Sequence, residues 1–139
     1  MSATKIYCDG SCLGNPGKGG WAVLVCHDGE DFSWSGGNPA TTNNQMELVA
    51  AIQAMESVQG HEGEIEVYTD SQYVIKGITE WIIGWKAKNF KGVKNVELWK
   101  NLDTLVTGLN VKWIWVKGHA GHPQNEFVDK LAKKAAEAS

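Results

Sequence analysis

Little in this chain points beyond a small globular domain. Its three cysteines, Cys8, Cys12 and Cys26, are odd in number and show no C-x-x-C spacing. That argues against structural disulfides and against a thiolate zinc site. No apolar run approaches the roughly 18 residues a membrane span needs. The N-terminus lacks the basic and apolar regions of a secretory signal, so a cytoplasmic location is expected. No repeat, low-complexity tract or linker divides the 139 residues, and a single domain over 1–139 is expected. There is no G-x-x-x-x-G-K-[ST] loop, so a phosphate-cradling nucleotide hydrolase lacks its main signature. Nor is there a basic surplus: the formal net charge is −3, whereas a nucleic-acid protein usually carries a positive footprint.

What the chain does contain is unevenly placed. Between Trp85 and Lys100, five lysines (Lys86, Lys88, Lys91, Lys94 and Lys100) face only Glu97. A basic patch interleaved with aromatics suits phosphates and stacked bases or sugars, although a solvated helix face has the same composition. An apolar content of 42% with 21% charged residues is that of an ordinary globular protein able to bury a full core.

Hydrophobic periodicity divides the chain into a mixed α/β order. Thr4 to Asp9 reads as a strand, with Ile6 and Cys8 on one face and Tyr7 and Asp9 on the other. Gly19 to His27 reads as a second strand and Asp31 to Gly36 as a third, joined by an Asp28-Gly29 hairpin turn. A loop over Gly36 to Ala40 should lead to a helix that is capped within Thr41 to Asn44, ends near Gln59 and carries a Leu48, Ile52 and Met55 stripe. Glu64 to Thr69 reads as a strand and Tyr73 to Lys76 as a short helix that Gly77 should break. Further helices are expected over 79–88, 96–107 and 124–136, with a strand at Val111 to Val116. In the last helix, Phe127, Leu131 and Ala135 should face the sheet.

Four acids fall at informative places in this order. Asp9 and Asp70 end strands, Glu47 lies early in a helix, and Asp129 lies in the first half of the last helix. Three have an ordinary role available: a turn residue for Asp9, a partner of the helix dipole for Glu47, an N-cap for Asp70. If the strands of Asp9 and Asp70 are neighbours, both carboxylates instead enter one crevice at the sheet's carboxyl end, where open α/β sheets bind ligands. Oxygen-only ligands suit Mg²⁺ or Mn²⁺, and two such ions about 4 Å apart orient a water and stabilise a leaving oxygen in phosphodiester cleavage.

The segments Asp9-Gly10-Ser11, Thr41 to Leu48, Thr69 to Tyr73 and Trp115 to Pro123 resemble bacterial ribonuclease HI, a type 1 ribonuclease H. The similarity is collinear from Lys5 to about Ala136. It implies a ribonuclease H-like α/β fold, with a five-stranded mixed sheet whose first three strands are antiparallel, flanked by helices. It also implies a sequence-nonspecific endonuclease that cuts the RNA strand of RNA/DNA hybrids, leaving 5′-phosphate and 3′-hydroxyl ends. By motif, Asp9, Glu47, Asp70 and Asp129 resemble the metal tetrad for two Mg²⁺, with Mn²⁺ as a substitute, and His119 resembles the family's mobile proton carrier. His122 has no catalytic counterpart and is read as structural.

The same resemblance assigns substrate contacts. Cys12, Asn15, Asn43 and Gln72 would line the RNA groove, and Gly10 would let backbone approach a ribose. Thr42 and Asn95 would grip a DNA phosphate, and Trp81 would pack in the DNA channel. The chain departs from the pattern at Ala40, where many relatives have Arg, at Gln45, where a basic residue is common, and in a shorter basic loop. Weaker, more salt-sensitive binding with intact chemistry is therefore expected. A monomer without membrane attachment is expected. The competing readings are a hybrid-binding module that has lost catalysis and another nuclease on the same fold.

Overall fold

The computed structural model describes residues 3–117 and 122–139. Five strands, β1 (Thr4–Leu13), β2 (Gly17–His27), β3 (Glu30–Thr41), β4 (Glu64–Thr69) and β5 (Asn110–Trp115), form one mixed sheet in the order β3-β2-β1-β4-β5. β1 to β3 are antiparallel neighbours, and β4 and β5 run parallel to β1. The expected sheet is therefore present. The β2–β3 hairpin turns at Asp28 and Gly29, both with positive φ, which is the backbone a tight two-residue hairpin requires.

The sheet is covered on both sides. Alternation along β2 sends Val23 into the larger core, with Ile6, Cys8, Leu48, Ile52 and Met55. It sends Ala22 and Leu24 into a second cluster with Val128 and Ala132. The first face is covered by α1 (Asn43–Glu56) with α4 (Val96–Val106) behind it, and the second by α5 (Pro123–Glu137).

Several sequence expectations are corrected. β1 does not end at Asp9 but runs on to Leu13, paired with β2 as far as Leu13 and Lys18. β3 extends through Gly36 to Ala40, where a loop was expected. β3 is an edge strand, so Pro39 costs no interior ladder bond. Gly36 lies under the Trp21 indole and Gly37 against α5, so these glycines serve close packing rather than a turn.

Gly77 does not break its helix. α2 (Gln72–Lys76) passes through a π-helical turn at Gly77–Trp81 into α3 (Ile82–Ala87). A side chain at Gly77 would overlap the fully buried Trp99 ring, which explains the glycine. In α1 the buried face is wider than a stripe, with Ala50, Ala51 and Ala54 also fully buried. In α5 the buried positions are Asn125, Val128, Ala132 and Ala136, while Phe127 is 46% exposed. The helix is therefore rotated by about one residue from the Phe127, Leu131, Ala135 expectation.

Candidate active site

Strand register brings the first two acids together. β1 and β4 pair in parallel from Thr4 with Ile65 to Tyr7 with Tyr68. Two residues further on, where β4 has just ended, Asp9 and Asp70 stand at the same level. α1 starts behind them: Thr42 caps it, its hydroxyl accepting from the Gln45 N–H at 3.2 Å. One turn later Glu47 enters the same space. A carboxylate oxygen from each of Asp9, Glu47 and Asp70 lies within 4.8 Å of the others.

Glu47 is not a surface partner of the helix dipole. It is buried, and it accepts a hydrogen bond from the Gly10 N–H. A Cβ at Gly10 would overlap the backbone of Met46 and Glu47, so this glycine lets α1 approach β1. Asp70 is not the helix cap either. That role falls to Ser71, whose hydroxyl accepts from the Val74 N–H at 3.2 Å, leaving the Asp70 carboxylate to the cluster.

Asp129 arrives from α5, on the other side of the sheet. It is in hydrogen-bond reach of Asp9 and ion-paired to Lys133 at 3.2 Å. Among the described residues no cation pairs with Asp9, Glu47 or Asp70. Burial first, and then the neighbouring carboxylates Glu47 and Asp70, push the Asp9 carboxyl far above the ordinary carboxylate range. Glu47 is raised by burial and by Asp70. The Cys8 thiol beneath them is fully buried and raised for the same reasons, so it stays neutral. Buried acids without countercharge are an incomplete arrangement, and a hard divalent cation completes it. The donor set of carboxylate oxygens fits such an ion, and among the described residues the cluster includes no thiolate or imidazole for a softer one. His119 lies outside the described residues. His122 immediately precedes α5, and its carbonyl accepts from the Glu126 N–H at 2.9 Å.

The other predicted contacts form a band beside the acids. Asn15 Oδ1 accepts from the Asn43 N–H at 3.0 Å, which ties the β1–β2 turn to the start of α1. Cys12 Sγ lies 3.5 Å from the Thr41 carbonyl oxygen. Asn15, Thr42, Gln45, Lys94 and Asn95 line one cleft. Within it Thr41 Oγ1 donates to Gln45 Oε1 at 2.8 Å, Gln45 Nε2 to Asn95 Oδ1 at 3.2 Å, and Asn95 Nδ2 to the Tyr73 hydroxyl at 3.1 Å. Sequence reasoning did not foresee this chain of bonds: Gln45 and Tyr73 lie in matched segments, but the partners are joined across 22 and 50 residues of sequence. Tyr73 packs on Trp99 and on Trp81, which is 41% exposed.

Of the five lysines in the basic stretch, Lys86 pairs with Asp103 at 2.9 Å and Lys100 lies over the Phe90 ring. Lys88, Lys91 and Lys94 are exposed, without ion pairs among the described residues. Gln72 is exposed just past Asp70.

Comparisons with known proteins agree with this geometry. The RNase H family model matches residues 1–137. A protein named Ribonuclease H from Salmonella arizonae is 50% identical over 141 residues, covering 98% of this chain and 90% of its own length. Among solved structures, LC9-RNase H1, described as a type 1 RNase H with the type 2 active-site motif, superposes with a TM-score of 0.86 at 36% identity. That match covers 99% of this chain and 74% of the other. LC11-RNase H1, solved in complex with RNA/DNA hybrid, matches in fold with a TM-score of 0.75 at 24% identity and 97% coverage of both chains. A register-paired Asp9 and Asp70, a buried Glu47 and a match over essentially every residue converge on one assignment: the chain belongs to the RNase H family.

Proposed function

We propose that this chain is a metal-dependent endonuclease that hydrolyses the RNA strand of RNA/DNA hybrids without sequence preference, leaving 5′-phosphate and 3′-hydroxyl ends. The observation that carries this reading is the convergence of Asp9, Glu47 and Asp70 within 4.8 Å, in a chain of the RNase H family. The family depends on divalent metal, and the acids present suit it. We take the ions to be two Mg²⁺, replaceable by Mn²⁺, held by Asp9, Glu47, Asp70 and Asp129. When bound, they supply an activated water and charge neutralisation at the scissile phosphate.

The residues divide the remaining work. Asp9, on the central strand, is the fixed point, and burial holds its carboxylate in one place. Glu47 is anchored by the Gly10 N–H, so its free oxygen faces the cluster. Asp129, tied to Lys133 and half-buried like Asp70, closes the site from α5. His119 is assigned as the proton carrier on motif, a role open to an imidazole. The substrate lies across Cys12, Asn15, Asn43 and Gln72 with its RNA strand, where the 2′-hydroxyl distinguishes RNA from DNA. The DNA strand crosses Trp81 and places a phosphate at Thr42 and Asn95, with Lys94 as the nearby cation.

All thirteen basic residues of this chain are lysines. Phosphates are therefore met by point charges rather than by bidentate guanidinium forks, and the grip is more easily screened by salt. We read residues 1–139 as one domain acting as a cytoplasmic monomer. Among the described residues no helix is long and apolar enough to cross a membrane.

The test uses a hybrid with end-labelled RNA, incubated with Mg²⁺ and either the native chain or Asp9→Asn. Internal cleavage of the RNA by the native chain alone is expected. Hybrid binding without cleavage would instead make this a hybrid-binding module.

A further inference from the structure

Beside the acids lies a second feature, a cleft that of the assigned substrate contacts only Gln72 lines. Trp115, the last residue of β5, is 48% exposed. Its indole N–H donates to the Asp70 carbonyl at 3.2 Å. This bond anchors the indole edge while about half of the residue stays open to water. The next residue, Val116, donates its N–H to the Thr69 carbonyl at 2.9 Å, so the end of β5 is tied at two points to the turn that presents Asp70. Across from the indole, the outer face of α2 and the turn that follows carry Gln72, Ile75, Lys76 and Glu80. Together these residues line a cleft of about 240 Å³. Lys76 is exposed and has no ion pair among the described residues.

We infer that the Trp115 shelf and Lys76 form an auxiliary subsite for one nucleotide of the RNA strand, displaced from the scissile phosphate along the strand. The inference rests on the function proposed above and deepens it. An aromatic face held rigid by its own hydrogen bond stacks a base or ribose of any sequence with little loss of side-chain freedom. A free lysine across the cleft meets the phosphate of the same nucleotide. Glu80, one turn beyond Lys76, places a negative charge at the cleft's far end, which disfavours a second phosphate and limits the subsite to one nucleotide. Continuity with the site is direct, because Trp115 is bonded to the backbone of Asp70 and Gln72 borders both regions. The RNA strand therefore reaches the shelf without leaving the protein surface.

The experiment measures hybrid binding by anisotropy with the full chain carrying Asp9→Asn to prevent turnover, in Mg²⁺, over a range of salt. Lys76→Ala is expected to weaken binding about three- to tenfold and to reduce the slope of log K against log salt by about 1. Trp115→Leu is expected to weaken binding about tenfold with the slope unchanged. Both penalties should persist on long duplexes and disappear when the duplex is shortened until it can no longer reach from the acids to the shelf. An unchanged salt slope for Lys76→Ala, or equal penalties on every trimmed hybrid, would overturn the subsite, since a purely structural effect is indifferent to duplex length. Lys76 is exposed, so its arm of the test holds even if Trp115→Leu unfolds. If the Asp9→Asn chain binds no hybrid of any length, the proposed function itself falls, and the subsite with it.

Discussion

Asp9 and Asp70 stand level with each other, two residues beyond the last paired residues of two parallel strands, Tyr7 and Tyr68. That register places two acids in one crevice, and α1 adds Glu47 to it. The arrangement serves a bound cation at the expense of the metal-free fold. Asp9→Asn should therefore have opposite effects on activity and stability. Cleavage should fall by two orders of magnitude or more, because an amide is a poor ligand for a hard cation. In chelator, the variant should be more stable than the native chain by about 1–3 kcal/mol, because a buried, repelled acid has been removed. Activity assays and thermal melts in EDTA check both halves. A variant less stable than the native chain in EDTA would show that the acids are not in electrostatic conflict.

The same raised acids set a pH dependence. Asp9 and Glu47 titrate above their unfolded values, so the metal-free native state binds more protons than the unfolded chain from about pH 4 upward. When the native state binds more protons, stability falls as pH rises. The contribution of these two acids is therefore fully present below about pH 4 and is lost as pH climbs through neutrality toward their folded values. A divalent cation competes with the same protons and stabilises only the native state. Added Mg²⁺ should raise the melting temperature more at pH 8 than at pH 5. Melts at the two pH values with and without MgCl₂ test this, and a larger shift at pH 5 would contradict it.

How much of this was legible beforehand follows from what each signal depends on. The strand at Glu64–Thr69 matched residue for residue, because its alternating apolar positions are bounded by glycine on one side and Asp-Ser on the other. The coincidence of Asp9 with Asp70 was legible only as a condition, since nothing in one sequence says which strands are neighbours. Glycine misled the reading twice. Gly36 and Gly77 resemble a turn and a helix breaker, yet each makes room for a tryptophan, Trp21 and Trp99, that lies distant in sequence. The rotation of α5 escaped for a similar reason. Its N-terminal half carries Asp129 toward β1, and that demand turns Phe127 outward. The exposure of Trp115 was not legible either, because its indole is bonded to a backbone atom, the Asp70 carbonyl.

Ala40 offers a test of how the phosphate cleft works. It borders a shallow pocket with Pro16, Thr41, Thr42 and Gln45, next to the cleft that holds Lys94 and Asn95. Ala40→Arg adds a guanidinium within reach of a phosphate seated at Thr42. KM for hybrid should fall about three- to tenfold at low salt, kcat should change little, and the advantage should shrink as salt rises. Steady-state kinetics at two ionic strengths measure this, and an unchanged KM would show that the cleft does not hold a phosphate.

Two glycine-to-alanine changes separate folding from site geometry. At Gly77 the added methyl meets the Trp99 ring inside the core, and its nearest neighbours all belong to that ring. At Gly10 it meets the backbone of Met46 and Glu47, the turn of α1 that presents an acid to the cluster. Overpacking of this kind costs about 1–3 kcal/mol, so both variants should melt lower than the native chain. Only Gly10→Ala should also lose activity at a temperature where each variant is still folded. There, α1 must shift outward, and Glu47 loses both its bond to the Gly10 N–H and its place beside Asp9 and Asp70. Circular dichroism melts paired with cleavage rates well below the transition make the comparison. If Gly10→Ala retains native kcat despite a lowered melting temperature, then the close approach of α1 to β1 serves the core alone, and Glu47 tolerates displacement that a metal ligand would not.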